Sequence, residues 1–410
     1  MSVRRRRGVP HRGEEPGLHQ RIRDAASFEG AGANGCPSDS LMEERQAGGM
    51  RTLVILWGPF GHRADELAEA VGGTRRSITL FYGPRYLAPI RYFALFLRTL
   101  VLLHSENPDV VYAQNPPVFC PLTCMLFCWL KGKRLVVDHH SVWRVKTLGG
   151  TVGALIGRIE GVVSRKAYAN TAPHDIWAKE LKRMGARNVL VVHDHVEKNP
   201  YARDSAVRGR YGADGFLAIA SHGGHLLERI ESEVGAAAAI PGLTLVLTGP
   251  EEKLKARFAS LKLPGNVHYL GLLPMRDYLA LKASCDFAIN ITDEPYTLSH
   301  VIFEYLASGL PVVSSRQEVV EGVFGDALLY VDKSGPGEVA AKVQELITSK
   351  ELLGQYRLRV TSKYLQLEST RSEEVSRLRS ILYPSGRQAA NPMHDQSRGR
   401  SGEHSGSIRT

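Results

Sequence analysis

The sequence has little cysteine and no long apolar run, and each shortage excludes something. Five cysteines among 410 residues, an odd number without a repeated CxxC, argue against a disulfide framework and for a reducing compartment. Cys120, Cys124 and Cys128 share one helical face, where thiols commonly serve as small buried hydrophobes. No stretch reaches the ~20 apolar residues of a spanning helix. The nearest, 93–104 and 118–130, are interrupted by Arg98 and Pro121. Four arginines at 4–7 are not followed by an apolar stretch, so no signal peptide is expected there. Nucleic-acid motifs are lacking, as is a D-x-D carboxylate pair at a strand end that would hold a metal. Acidic residues are also under-represented in one region: residues 50–200 carry twenty Lys and Arg against eleven Asp and Glu, within a net charge of +10. A basic half-protein points to phosphates, an acidic membrane surface or nucleic acid, the last being least supported.

What the chain does have is a repeated strand–helix rhythm. Residues 53–57 are a continuous apolar run suited to a central parallel strand, followed by a glycine turn and a helical pattern to residue 70. Further strands are expected at 78–82, 110–112, 134–137 and 189–192, with helices at 89–104, 152–166 and 174–184. A second series opens at 216–220 and runs through 243–248, 266–271, 286–290 and 312–313 to 327–331, with helices from 336 to 382. This alternation predicts an α/β chain of doubly wound parallel sheets, long enough for two cores. The expected domains are 50–198 and 199–382. Residues 1–49 and 383–410 are polar and aperiodic, so disorder is expected there. Met50 stands directly before the first strand and is a candidate true start.

Ligands of open α/β sheets bind beyond the carboxyl ends of the strands, so polar clusters there carry most weight. Gly58, Gly61 and Arg63 follow the first strand, where amides, a helix N-terminus and a cation can meet phosphate, or where the chain merely turns. Asn115 ends one strand; Asp138 and His140 end the next. His140 is the candidate base, with Asp138 beside it, because imidazole titrates near neutrality. A purely structural histidine is the alternative. In the second half, Ser221, His222 and Gly223 form a matching glycine turn, and Thr248 and Gly249 another strand end. Ser299 can cap, and Gly309 can end, a short helix carrying Glu304 among apolar neighbours. That carboxylate is either solvated or aimed at ribose hydroxyls.

The run FEYLASGLPVVSS at 303–315 resembles the C-terminal signature of GT-B glycosyltransferases of the family-four kind. By that resemblance Glu304 matches a sugar-nucleotide-contacting glutamate. The family's second glutamate, eight residues earlier, falls on Tyr296, with Glu294 nearby. Its usual Arg and Lys are missing from the turn at 221–224, so a diphosphate would rest on backbone amides, a helix dipole and His222. In the first half, YAQNPP, VVDHHS and VVHDH are similar to segments of the β-1,4-mannosyltransferases that extend lipid-linked chitobiose, with His140 and Asn115 at matching positions. A lysine of that group is replaced by Val301.

The resemblance implies two Rossmann-like, doubly wound domains facing across a cleft. The acceptor would lie on the first, at Gly58, Gly61, Arg63 and Asn115. The nucleotide sugar would lie on the second, at Glu304, Ser221, His222, Gly223, Thr248, Gly249, Tyr296 and Ser299. The implied activity is transfer of a sugar, with mannose from GDP-mannose suggested by the first half, to a lipid-linked or glycan acceptor. No metal and no cofactor beyond the nucleotide sugar are expected, and contact with an anionic membrane at its cytoplasmic face is. A nucleotide-sugar epimerase of the same fold and a catalytically lapsed nucleotide-sugar-binding subunit are the competing readings.

Overall fold

The computed structural model describes residues 50–58, 61–80, 85–140, 150–224 and 227–384. The disorder expected of 1–49 and of nearly all of 383–410 lies outside these residues. In the first domain β1 (Thr52–Leu56), α1 (His62–Val71), β2 (Thr74–Ser77), α2 (Ala88–Glu106), β3 (Val110–Asn115), α3 (Phe119–Lys131), β4 (Arg134–His139), α4 (Gly150–Lys166), β5 (Ala169–Ala172), α5 (Asp175–Arg183) and β6 (Val189–Val191) build a parallel sheet ordered β2-β1-β3-β4-β5-β6. β1 and β3 are buried along their whole length, as strands covered by helices on both faces must be. Leu95 and Leu103 of α2, Cys120, Cys124 and Phe127 of α3 and Val163 of α4 pack one face of that sheet. The three cysteines are core residues.

The strand expected at 78–82 is displaced. β2 is the polar stretch Thr74–Ser77, pairing with β1 at the sheet edge. An edge strand is half solvated and needs no apolar run, so Ile78 only tucks its side chain into the core as the chain leaves the sheet. Residues 81–82 lie outside the described part.

The second domain follows with α6 (Ser205–Gly209), β7 (Phe216–Ser221), α7 (Ile230–Ala239), β8 (Leu243–Thr248), α8 (Glu251–Ser260), β9 (Val267–Tyr269), α9 (Met275–Ser284), β10 (Phe287–Asn290), α10 (His300–Ala307), β11 (Val312–Ser315), α11 (Glu318–Phe324), β12 (Leu329–Val331), α12 (Pro336–Thr348) and α13 (Lys350–Leu382). Its sheet order, β12-β11-β10-β7-β8-β9, reverses between β7 and β10, as the first reverses between β1 and β3. Both reversals open a crevice beyond the strand ends.

α13 belongs to both halves. Val360 and Leu367 pack in the second core, whereas Leu378 and Leu382 pack against Val54 and Val136 of the first. Glu374 accepts from the backbone N–H of His193 at 2.9 Å, and Tyr383 reaches Thr52 at 2.6 Å. One long helix thus holds the two sheets together and sets the width of the cleft.

Candidate active site

The cleft encloses a cavity of about 650 Å³ at the carboxyl ends of both sheets. His140, His174, Trp177 and Asp194 line it from the first domain. From the second come Ser221, His222, Gly223, Thr248, Gly249, Tyr296, Ser299 and Glu304, all eight of the residues expected on the donor side.

Glu304 is placed on α10 by a helix whose other flank, Ile302, Phe303, Tyr305 and Leu306, is buried in the core. Its Oε2 accepts from Tyr278 at 2.7 Å and from Lys282 Nζ at 2.9 Å. Burial lowers the Lys282 ammonium's pKa, and Glu304 works against that. Thr248 Oγ1, Ser221 Oγ and Tyr278 Oη follow one another at 2.9 and 3.0 Å. Because a carboxylate only accepts, this chain of hydroxyls delivers its last proton to Glu304. With Oε2 held from behind, Oε1 is the oxygen left toward the cavity, 3.9 Å from His300 Nε2. Ser299 stands at the N-cap of α10, yet its side chain makes no capping hydrogen bond.

The glycine turn after β7 holds an anion already, and it is the chain's own. Glu228 accepts from the N–H groups of Gly223 at 2.8 Å and Gly224 at 3.1 Å, the amides expected to face a diphosphate. His222 is buried beside it, with Nε2 2.8 Å from Glu233 Oε2 at an angle outside hydrogen-bond geometry. Burial opposes the imidazolium there, but Glu233 and Glu228 outweigh it and raise the pKa. Gly249 closes the turn at φ +150°, and a Cβ would come within 2.6 Å of the His222 carbonyl oxygen. Only glycine fits there.

In the first domain the expected set divides. Arg63, expected to meet phosphate, turns inward. It is 2% exposed, donates to both Asp138 oxygens and pairs with Asp194 at 2.6 Å. Asp138 is fully buried and also accepts from Thr171 at 2.9 Å, so it holds Arg63 in place and does not line the cavity. Asn115 donates to the buried Glu160 at 2.8 Å, and Gly58 and Gly61 likewise lie off the cavity wall. His139 points into the same interior, 3.0 Å from Asn170. His140 faces the other way, into the cavity. Its Nδ1 is buried without a partner among the described residues, and burial lowers its pKa despite Asp194 nearby.

His300 was missed by the sequence reading. It stacks on His62 at 5.8 Å and lies 3.6 Å from Asp194, linking the domains across the cavity. Burial disfavours its charge, but Asp194 and then Glu304 and Glu66 raise the pKa to about 9. The signal was the H-x-x-x-E spacing with Glu304, which puts both groups on one helix face. Glu294 also lines the cavity; it is 5% exposed, and its carboxylate has no partner among the described residues. His174 Nε2, Asn290 Oδ1 and Thr297 Oγ1, on the same wall, are buried and have no partner among the described residues. So many unsatisfied polar atoms around one cavity mark a site for a polar ligand.

Family models for the glycosyl transferase 4-like domain and for glycosyl transferases group 1 match residues 38–194 and 223–349. The fold is GT-B. Each half of the chain thus resembles one domain of the glycosyltransferases that share this fold. HepE of Anabaena in complex with UDP-glucose superposes with TM-score 0.65 at 16% identity, over 81% of this chain and all of that one. Sucrose-phosphate synthase of Thermosynechococcus elongatus gives 0.62 at 14%, over 80% and 99%. A putative UDP-N-acetylglucosamine 2-epimerase of Listeria monocytogenes gives 0.55 at 13%, over 82% and 98%. No curated protein sequence matches the chain.

Proposed function

We propose that this GT-B chain transfers a sugar from a nucleoside-diphosphate donor bound on the second domain to an acceptor hydroxyl presented by the first. Glu304 carries the proposal. It is a carboxylate clamped by Tyr278 and Lys282 so that one oxygen faces a cleft cavity, where it can accept hydrogen bonds from both ribose hydroxyls. Glu294, buried on the cavity wall, would accept from hydroxyls of the donor sugar. Thr248 and Gly249 border the donor, and Tyr296 and Ser299 its far side. His140, with a lowered pKa and a free Nδ1, is neutral at pH 7 and able to take the acceptor proton or to face the developing oxocarbenium charge. Leaving-group charge would fall on amides and imidazoliums, without need of a metal.

The donor sugar is open between two leads. Mannose from GDP-mannose follows from the first-domain resemblance to the chitobiose mannosyltransferases, and UDP-glucose is what HepE holds. A lipid-linked or glycan acceptor at the cytoplasmic membrane face follows from the same resemblance and from the basic first domain. The test is a transfer and hydrolysis screen over several nucleotide sugars, with His140→Ala beside wild type. A ~10²–10⁴-fold lower kcat at unchanged donor affinity is expected of the variant. Near-normal turnover would make His140 structural. Conversion of the donor sugar without acceptor would identify an epimerase, and binding without any turnover a lapsed subunit.

A further inference from the structure

The cavity, the interdomain ion pairs and the core thiols are accounted for above; one outer surface of the first domain is not. α2 carries Ile90, Phe93, Leu97 and Val101 between 46% and 70% exposed. At 100° per residue their spacing of three, four and four keeps them in one stripe, ~16 Å long along the helix. Trp129 and Leu130, 53% and 64% exposed at the end of α3, add apolar surface to the same layer of helices. A soluble helix normally turns such a stripe inward, and α2 already has a second one, Leu95, Thr99 and Leu103, packed in the core.

The charges around the stripe have one sign. α2, α3 and α4 together carry six basic residues, Arg91, Arg98, Lys131, Arg158, Arg165 and Lys166, and two acids, Glu106 and Glu160. Glu106 is paired with Arg51 and Arg76, and Glu160 is buried against Asn115. This helix layer therefore offers anions apolar area rimmed by cations, with no solvent-facing acid left unpaired. A second copy of the chain fits poorly, because a two-fold contact would set Arg91 and Arg98 against the same helix, which has no free acid to meet them.

We propose that this face docks flat on an anionic lipid bilayer, with the α2 stripe sunk to the acyl boundary and the arginines among the headgroups. The orientation suits the site. α2 runs antiparallel to the strands, so Ile90 and Phe93 stand toward the strand carboxyl ends, where the cavity opens. An acceptor borne on lipid would then reach the cleft from the membrane plane. The docking surface deepens the membrane half of the proposed function, but its test needs neither donor nor turnover, so each can fail without the other.

The experiment is flotation of the full-length protein with phosphatidylcholine vesicles, with and without phosphatidylglycerol, at low and at ~0.5 M salt. Binding is expected only with the anionic lipid, weakened several-fold by salt. Phe93→Ser with Leu97→Ser should cost ~10-fold or more for each side chain, and Arg91→Ser with Arg98→Ser ~5-fold each. These residues are solvent-exposed or half-buried and lie off the cavity, so melting temperature and nucleotide affinity should stay at wild-type values. Equal flotation with neutral and anionic vesicles, or binding unaffected by the Phe93 and Leu97 changes, would overturn the proposal. So would a dimer in sedimentation velocity that the same changes dissociate, which would give the face to a second copy.

Discussion

Raising the pH through the titration of His300 should loosen the contact between the domains. His300 is the second-domain group that meets Asp194 of the first, and its pKa is about 9 in the folded chain against an ordinary value of ~6.5. A group raised on folding contributes its full stability below the unfolded pKa and loses it as pH climbs through the folded one. The window is therefore ~6.5 to 9. Two and a half units correspond to a ceiling of ~3 kcal/mol. His300 is 27% exposed and its contacts, 3.6 and 3.9 Å, are long, so ~1–2 kcal/mol is the sounder expectation. Asp194, although burial works against its charge, is held well below the carboxylate range by Arg63 and His300, and it stays ionised throughout the window. The assay is thermal unfolding of wild type and His300→Gln at steps from pH 6 to 10. The wild type should melt ~2–4 °C higher at the acid end, with the gap closing by the alkaline end. A gap constant with pH would refute the reasoning, because it would assign the effect to packing on His62 rather than to charge.

Three other expectations can be checked on the same protein. Glu304→Gln should weaken nucleotide binding by ~2 kcal/mol in calorimetry with little loss of stability, whereas Glu304→Ala should also lower the melting temperature, because Lys282 would be left buried and unpaired. Glu228→Ala frees the amides of Gly223 and Gly224 and removes a negative charge; tighter binding of a nucleoside diphosphate, on the order of tenfold, is expected if the diphosphate uses that turn, and unchanged affinity would place it elsewhere. The pH–rate profile should be bell-shaped, with its acid limb below the ordinary histidine range from His140 and its alkaline limb near 9 from His300, the latter moving upward in His300→Lys.

Period and punctuation made most of the architecture legible in advance. Buried parallel strands such as 53–56 and 243–247 are continuous apolar runs, and Gly309 with Pro311 marks the joint between α10 and β11. Strand ends could likewise be read, and Ser221 and Thr248, picked out that way, line the cavity together with Glu304 of α10. Direction could not be read. At 138–140 the sequence offers Asp, His, His, and only the sheet decides that Asp138 and His139 face the interior while His140 faces the cavity. Arg63 looks like a phosphate ligand by position, yet Asp138 and Asp194 lie 75 and 131 residues away and were not recognisable as its partners. β2 was misplaced for a related reason: at a sheet edge the apolar signal and the hydrogen-bonded strand need not coincide. Glu228 shows the same limit, since nothing in a helix-proximal glutamate announces that it will occupy the amides of the turn before it.

The absence of the usual Arg and Lys from the second glycine turn bears on how the site could manage charge. Among the described residues lining the cavity, the side chains able to carry positive charge are all histidines: His62, His140, His174, His222 and His300. Their surroundings separate four of them into two kinds. Carboxylates raise His300 to about 9, so it is a cation at neutral pH, and they push His222 in the same direction. Burial lowers His140, and lowers His174 to about 4, so these are neutral and can accept a proton. An arginine could supply only the first role at pH 7, and a lysine the second only where burial strips its proton. With histidines, one cavity can offer both a positive charge, which the proposed transfer needs for its departing diphosphate, and a base for its incoming hydroxyl, and the division between them is made by Glu233, Glu228, Asp194 and Glu304. Glu233, Asp194 and Glu304 therefore serve an anionic ligand by favouring charge on two of the cavity's histidines, whereas Glu228 does so for His222 while also occupying the amides such a ligand would use.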